Sequence, residues 1–179
     1  MILVISGTNR KNSATRAIAE HYVHYLESHV NEEVHITNLE NLPAGILNDD
    51  MYSENGQESA LAEYQDKVFI PSDKMIIVSP EYNGGFPGVL KLFLDALSVR
   101  RYQETFKGKK VALVGVSTGR AGNLRGMEHL TGILHYLKVH VLPNKLPISQ
   151  VSRIVENGEI TDVPTQRAIE EQIREFLEF

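Results

Sequence analysis

Three short stretches of this sequence carry residues whose types and spacing could do chemistry. The first, Ser6-Gly7-Thr8-Asn9-Arg10-Lys11-Asn12-Ser13-Ala14-Thr15-Arg16, is rich in hydroxyls and cations and runs into a helical pattern. A helix N-terminus offers unpaired N–H groups and partial positive charge, worth about 0.3–1 kcal/mol to an anion before any side chain contributes. Arg10, Lys11 and Arg16 alone would be mildly unfavourable at that end, so a bound phosphate is the simplest reason to gather them. The same residues also suit a capped helix with solvated cations, and this stretch by itself decides neither way. It matches neither a Walker A loop nor G-x-G-x-x-G. The second, Ser79-Pro80-Glu81-Tyr82-Asn83-Gly84-Gly85-Phe86-Pro87-Gly88, sets consecutive glycines beside Tyr82 and Phe86. Such backbone can approach a flat ligand closely while the aromatic rings cover it, although turn geometry accounts for the glycines about as well. The third, Gly115-Val116-Ser117-Thr118-Gly119, matches the G-x-S-x-G nucleophile elbow. A hydrolase of that type needs an acid and then a histidine downstream, yet the only later Asp, Asp162, follows the last histidine, His140. The pairs His21 and His24, and His135 and His140, could touch a metal, but neither brings a recognisable third and fourth ligand.

Composition narrows the chemistry further. The chain has 179 residues, 42% hydrophobic and 23% charged, which suits one globular domain, here taken as 1–179. It has no cysteine, which excludes thiol nucleophiles, Cys-ligated Fe–S clusters and disulfide redox, so any redox chemistry must come from a cofactor. A formal charge of −5 gives no general reason to expect nucleic-acid binding. Met1–Ser6 lacks a basic leader and is too short an apolar run for a signal peptide or a membrane span, and a cytoplasmic location is the expectation.

The elements that must position these stretches follow from hydrophobic pattern. Met1–Ser6, Met75–Ser79 and Val111–Ser117 are continuous apolar runs, the mark of strands buried on both faces of a parallel sheet. Glu33–Asn38 alternates and suits a strand nearer an edge, and Val139–Leu142 reads as a fifth strand. Helical spacing covers Ser13 to about Ser28 with Ser13 as N-cap, Leu61–Phe69 ahead of Pro71, the stretch opened by Pro87, Gly126–Leu137, and Thr165–Leu177. Leu39–Glu58 has no clear period and reads as a lid, a binding loop or a disordered segment. Alternating strands and helices argue for an open parallel sheet with helices on both faces. The loops Gly7–Asn12, Pro80–Phe86 and Thr118–Asn123 all follow strands, so all three open onto one edge, where such sheets bind ligands.

Taken together, Gly7-Thr8-x-Arg10-x-x-Ser13 and Pro80-Glu81-Tyr82-Asn83-x-x-x-Pro87-Gly88-x-Leu90-Lys91-x-x-x-Asp95 resemble the NADPH-dependent FMN reductase family. The resemblance runs from Met1 to about Leu142. It implies an α/β, flavodoxin-like, doubly wound sheet of five parallel strands in the order 2-1-3-4-5. It further implies noncovalent FMN, NADPH as cosubstrate, and a homodimer or homotetramer that reduces a flavin, quinone, azo compound or metal oxyanion. Carried over by position, Thr8, Arg10, Ser13 and Thr15 surround the FMN phosphate, and Pro80, Glu81, Tyr82, Asn83 and Gly84 lie along the isoalloxazine ring. Ser117, Gly119 and Arg120 border its other side. Lys91-Leu92-Phe93-Leu94-Asp95 departs from relatives, which often have Asn and a final aromatic, and the third loop lacks their adjacent glycines. Hydride transfer through a flavin needs no protein nucleophile, only alignment of two rings, so the expected turnover is ping-pong. Arg120 and Arg125 are candidates for the nicotinamide nucleotide's phosphates, and Leu39–Gly56 with a partner's Ser98–Thr105 for the walls of the acceptor pocket. The competing readings are a flavodoxin-type electron carrier, a redox-sensing flavin module and the serine hydrolase.

Overall fold

A computed structural model describes residues 1–53 and 56–179; residues 54 and 55, inside the expected loop Leu39–Glu58, lie outside it. The chain begins with β1 (Ile2–Ser6), whose five residues are all buried, and α1 (Ala14–Glu27), capped by Ser13. Then come β2 (Val34–Asn38), two short 3-10 turns, α2 (Ser59–Tyr64), β3 (Lys74–Pro80), α3 (Gly88–Ser98), α4 (Tyr102–Phe106) and β4 (Lys110–Val116). After these follow α5 (Leu124–Tyr136), β5 (His140–Val141), β6 (Leu146–Ile148), β7 (Val155–Glu156), β8 (Glu159–Ile160) and α6 (Val163–Glu178). The sheet runs β2-β1-β3-β4-β5, all parallel, so the flavodoxin-like order 2-1-3-4-5 is present. Continuous apolar strands are what this burial requires, because helices cover both faces.

On one face, Leu3, Ile5, Met75, Ile77, Val111 and Leu113 pack against Leu61, Phe69, Phe93, Leu97, Phe106, Leu130 and Leu134. Phe69 meets Phe93 and Phe106 edge-on at ring separations of 6.0 and 5.7 Å. On the other, Ile2, Val4, Ile76, Val78, Ala112 and Val114 pack against Ile18, Tyr22 and Leu26 of α1 and Ile169, Ile173 and Phe176 of α6.

The outer strand differs from expectation. Val139–Leu142 does carry the fifth strand, β5, but β6 beyond it also pairs with β4, and between Val111↔Val141 and Val114↔Leu146 β4 advances three residues while the outer chain advances five. The two extra residues bulge outward, and Gln172 of α6 fills the gap by donating to Leu113 O at 3.1 Å and Asn144 O at 2.9 Å. Bulges of this kind also blunt an exposed sheet edge.

The expected helix Leu61–Phe69 is likewise two pieces, with a π turn over Gln65–Phe69 after α2. The wider turn brings Gln65 inside, where the two hydrogens of its Nε2 are shared among Leu97 O, Arg100 O and the Thr105 hydroxyl, at 2.8, 2.9 and 2.6 Å. It thereby satisfies carbonyls at the end of α3 that have no intrahelical partner. The last helix starts two residues earlier than the apolar pattern suggests, because the Asp162 carboxylate accepts from Thr165 N at 2.9 Å and Pro164 suits the first turn.

Candidate functional site

Each of the three chemistry-bearing stretches leaves the carboxyl end of a central strand. After β1, Gly7 N donates to Val78 O at 2.8 Å, and a Cβ there would stand 3.0 Å from that oxygen and 3.2 Å from Leu90 Cδ2. Only glycine leaves the chain that close to β3. Thr8 and Thr15 are buried, and Ser13 Oγ accepts from Arg16 N at 3.2 Å, which starts α1 where the loop turns upward. Arg16 corrects the expectation that it joins the phosphate cluster. It pairs with Glu20 and with Glu40, each at 2.7 Å, and these partners, the Glu20 hydrogen bond first, raise its pKa. Arg10 remains exposed at the loop.

After β3, the loop closes a two-residue turn. Tyr82 N donates to Gly85 O at 2.8 Å and Gly85 N to Tyr82 O at 3.0 Å, with Asn83 at φ 52° and Gly84 at φ 78°. Consecutive left-handed residues of the Asn-Gly type are the signature of a type I′ turn. The turn aims Tyr82 back across the sheet edge, where its hydroxyl lies 2.8 Å from Thr8 Oγ1. The first and second loops are thus tied side chain to side chain. Phe86 does not join Tyr82 in covering the cleft: its ring packs on His129 of α5, 5.1 Å between centroids.

After β4, the Ser117 hydroxyl donates to Gly119 O at 3.0 Å and accepts from Gly122 N at 2.9 Å. Ser117 N donates to Ile148 O, Val151 N to Ser117 O and Gln150 N to Gly119 O, at 3.0, 3.0 and 2.8 Å. This disposes of the nucleophile elbow. Helix α5 begins only at Leu124, so there is no sharp strand-to-helix turn, and the hydroxyl is committed to shaping its own loop with no histidine as its partner among the described residues. The loop ends in Gly122 and Asn123, both left-handed at φ 56° and 58°.

The loops enclose a cleft of about 290 Å³. Of the expected residues, Thr8, Arg10, Ser13, Thr15, Pro80, Glu81, Tyr82 and Ser117 line it, while Asn83, Gly84, Gly119 and Arg120 do not. Asn12, Ala14, Val116 and Thr118 complete the same loops. Val151 and Ser152 come from a 3-10 turn that no periodicity announced, and they reach the cleft because Gln150 and Val151 are bonded to the third loop.

The donor set suits a flat, phosphate-bearing cofactor. Hydroxyls of Thr8, Ser13 and Thr15, the Arg10 guanidinium and the first turn of α1 gather at one end, and the Pro80–Tyr82 backbone lies along the other. The histidines fit no metal: among the described residues no group of three or more His, Cys, Asp or Glu side chains is placed to hold one. His21 is partly buried, and burial first, then His24, pull its pKa below the ordinary value, with Glu170 opposing.

Comparison with known proteins agrees with this geometry. The sequence model of the NADPH-dependent FMN reductase family matches residues 1–152. An NAD(P)H-dependent FMN reductase of Pseudomonas aeruginosa is 28% identical over 175 residues, 97% of this chain and 91% of its own. A 2-hydroxy-1,4-benzoquinone reductase of a Burkholderia species is 36% identical over 101 residues, 55% of either chain. In fold, the chain is similar to an NAD(P)H:acceptor flavoenzyme of Paracoccus denitrificans, with a TM-score of 0.78 at 23% identity over 99% of this chain and 97% of that one. With its sheet order, its cleft and a family match across most of its length, the chain belongs to the NADPH-dependent FMN reductases, oxidoreductases that work with FMN.

Proposed function

We propose that this chain passes a hydride from NADPH through bound FMN to a small acceptor, a quinone, flavin, azo compound or metal oxyanion, by ping-pong turnover. The observation that carries the reading is the Thr8–Tyr82 contact, which welds a hydroxyl- and cation-lined end to a backbone-lined end in one cleft. Thr8, Arg10, Ser13 and Thr15 hold the phosphate, and Pro80, Glu81 and Tyr82 line one side of the ring. Ser117 lies on the other, with Gly119 and Arg120 farther along the same loop, outside the cleft. When bound, FMN supplies the hydride chemistry, accepting two electrons from the nucleotide and giving them to the acceptor. The protein's share is alignment, which agrees with a cleft where, among the described residues, no Ser or Thr hydroxyl is bonded to a histidine or carboxylate. Arg120 and Arg125 receive the nucleotide's phosphates, and the Arg125 guanidinium reaches to 4.0 Å of the position a Cβ would take on Gly84, at the ring-side turn. Two copies of the chain share the acceptor pocket through the α3–α5 face, where Tyr136 stands 81% exposed. No helix among the described residues is long and apolar enough to cross a membrane, and the cytoplasm is the working location.

The test is a visible spectrum after FMN addition and gel filtration, followed by anaerobic NADPH and then a quinone. The expected result is a retained flavin band that bleaches with NADPH and returns with the quinone. A retained band that NADPH leaves unchanged would point to an electron carrier, and no retained band would undo the assignment of both loops.

A further inference from the structure

The third loop contains a residue that no motif singles out. Asn123 is fully buried and sits at φ 58°, directly after Gly122 at φ 56°. Two left-handed residues in a row are ordinarily glycine territory, and Asn is among the few residues with a side chain that tolerate the second place. It stands at the N-cap of α5, where an Asn oxygen normally accepts from the first turn, yet it makes no such bond. Instead its Nδ2 donates to Ser79 O at 3.0 Å and Pro80 O at 2.9 Å, and lies 3.3 Å from Ser79 Oγ. Those are the final residues of β3, where the Pro80–Gly85 loop begins. Its Oδ1 is buried without a hydrogen-bond partner.

The surroundings show how tightly this arrangement is built. A Cβ on Gly126, in the first turn of α5, would stand 2.1 Å from Asn123 Oδ1 and 2.8 Å from the carbonyl carbon of Gly85. The helix start, the carboxamide and the end of the Tyr82–Gly85 turn therefore meet with no room for a methyl group. Asn123 forgoes both a helix cap and a partner for its own oxygen, and what those sacrifices sustain is a side-chain link between the second and third loops. Pro80, whose carbonyl it holds, lines the cleft.

We propose that Asn123 is a positioning residue which fixes the ring-side loop against α5 and thereby sets the affinity and redox environment of the bound flavin. The inference rests on the assignment of this cleft to FMN. Its decisive variant is Asn123→Gly, which suits the left-handed backbone and removes only the carboxamide. The expected outcome is an apoprotein that melts close to the wild type, an FMN dissociation constant raised about tenfold by fluorescence titration, and a shifted flavin midpoint potential. The potential discriminates, because a residue that merely supports the fold would leave it unmoved once flavin is bound. If Asn123→Gly does not fold, Gly126→Ala presses on the same contact from the helix side and is read by the same titration and potential. Unchanged affinity and potential in a folded variant would overturn the proposal while leaving the FMN site standing. Failure of both variants to fold would overturn it too, by making the contact structural. A wild type that binds no FMN would instead refute the cleft assignment itself.

Discussion

Two side chains at the cleft and one on α1 show what single residues contribute. The Tyr82 hydroxyl and Thr8 Oγ1 are 2.8 Å apart and join two loops that share no backbone hydrogen bond. Tyr82→Phe keeps the ring and deletes that contact. A net hydrogen bond is worth about 0.5–1.5 kcal/mol, so FMN should bind roughly two- to tenfold more weakly, with little change in melting temperature. A fluorescence titration that returns the wild-type constant would show the two loops to be held by other means. His21 gives a pH dependence. Its folded-state pKa is depressed, so below about pH 6.5 the unfolded chain takes up a proton that the folded chain still resists. Stability from this site is thus present above about pH 6.5 and is lost as pH falls through the folded-state value. His21→Gln should flatten that part of the curve of melting temperature against pH, and parallel curves would exclude the effect. Residues of this kind differ in how far the sequence reveals them. Thr8, Ser13 and Tyr82 sit in local motifs and were legible, whereas the neutralisation of Arg16 depends on Glu40, brought alongside only by folding. No local motif marks Asn123 for the same reason, since its partners lie forty-odd residues earlier on another strand.

At the scale of elements, uniform burial makes β1, β3 and β4 readable as unbroken apolar runs, and helix periodicity located α1, α3, α5 and α6 to within a few residues. The outer strand was not readable in the same way. Pro143 and Pro147 interrupt it, and its bulge is defined by a glutamine that arrives from α6. Gln172 is fully buried, accepts from the Tyr22 hydroxyl at 2.6 Å and donates to the two backbone carbonyls of the bulge. Gln172→Ala strands the buried Tyr22 hydroxyl and Leu113 carbonyl and frees the partly buried Asn144 carbonyl, and with each unsatisfied buried group costing about 1–3 kcal/mol, a loss of about 3 kcal/mol in urea unfolding is expected. Adding Tyr22→Phe should return part of that loss, because one stranded group disappears. Additive effects of the two substitutions would mean that they do not act as a unit. The π turn at Gln65 and the six-residue hairpin of β7 and β8 left no periodic trace, since one is a single inserted residue in a helical pattern and the strands of the other are too short to alternate.

For the whole molecule, the two edges of the sheet have different work. At the edge away from the cleft, Lys109 Nζ donates to Ile70 O and Ser72 O at 2.8 and 2.7 Å, and burial pulls its pKa down. Lys74 holds Phe176 O and Leu177 O at 3.1 and 2.6 Å, and Lys110 holds Phe179 O, so cations meet the carbonyl end of α6. Helix ends are pinned there, and the opposite edge is left to loops that can receive a ligand. The remaining question is what covers the α3–α5 face. A groove of about 480 Å³ runs along it, lined by Lys91, Asp95, Tyr102, Ile133 and Tyr136, and Tyr136 is 81% exposed although its ring is large and mostly apolar. Lys91 and Asp95 pair across one turn at 2.6 Å, which leaves the groove little net charge for a strongly charged partner. In the dimer proposed above, a second copy of the same chain packs α3 and α5 against this face. The partner's Ser98–Thr105 segment is then the proposed wall of the acceptor pocket. Tyr136→Asp should therefore convert a dimer to a monomer in sedimentation, with FMN still bound because its cleft lies within one chain, and with turnover reduced because one pocket wall is gone. A monomeric Tyr136→Asp protein with undiminished turnover would confine the whole reaction to a single subunit.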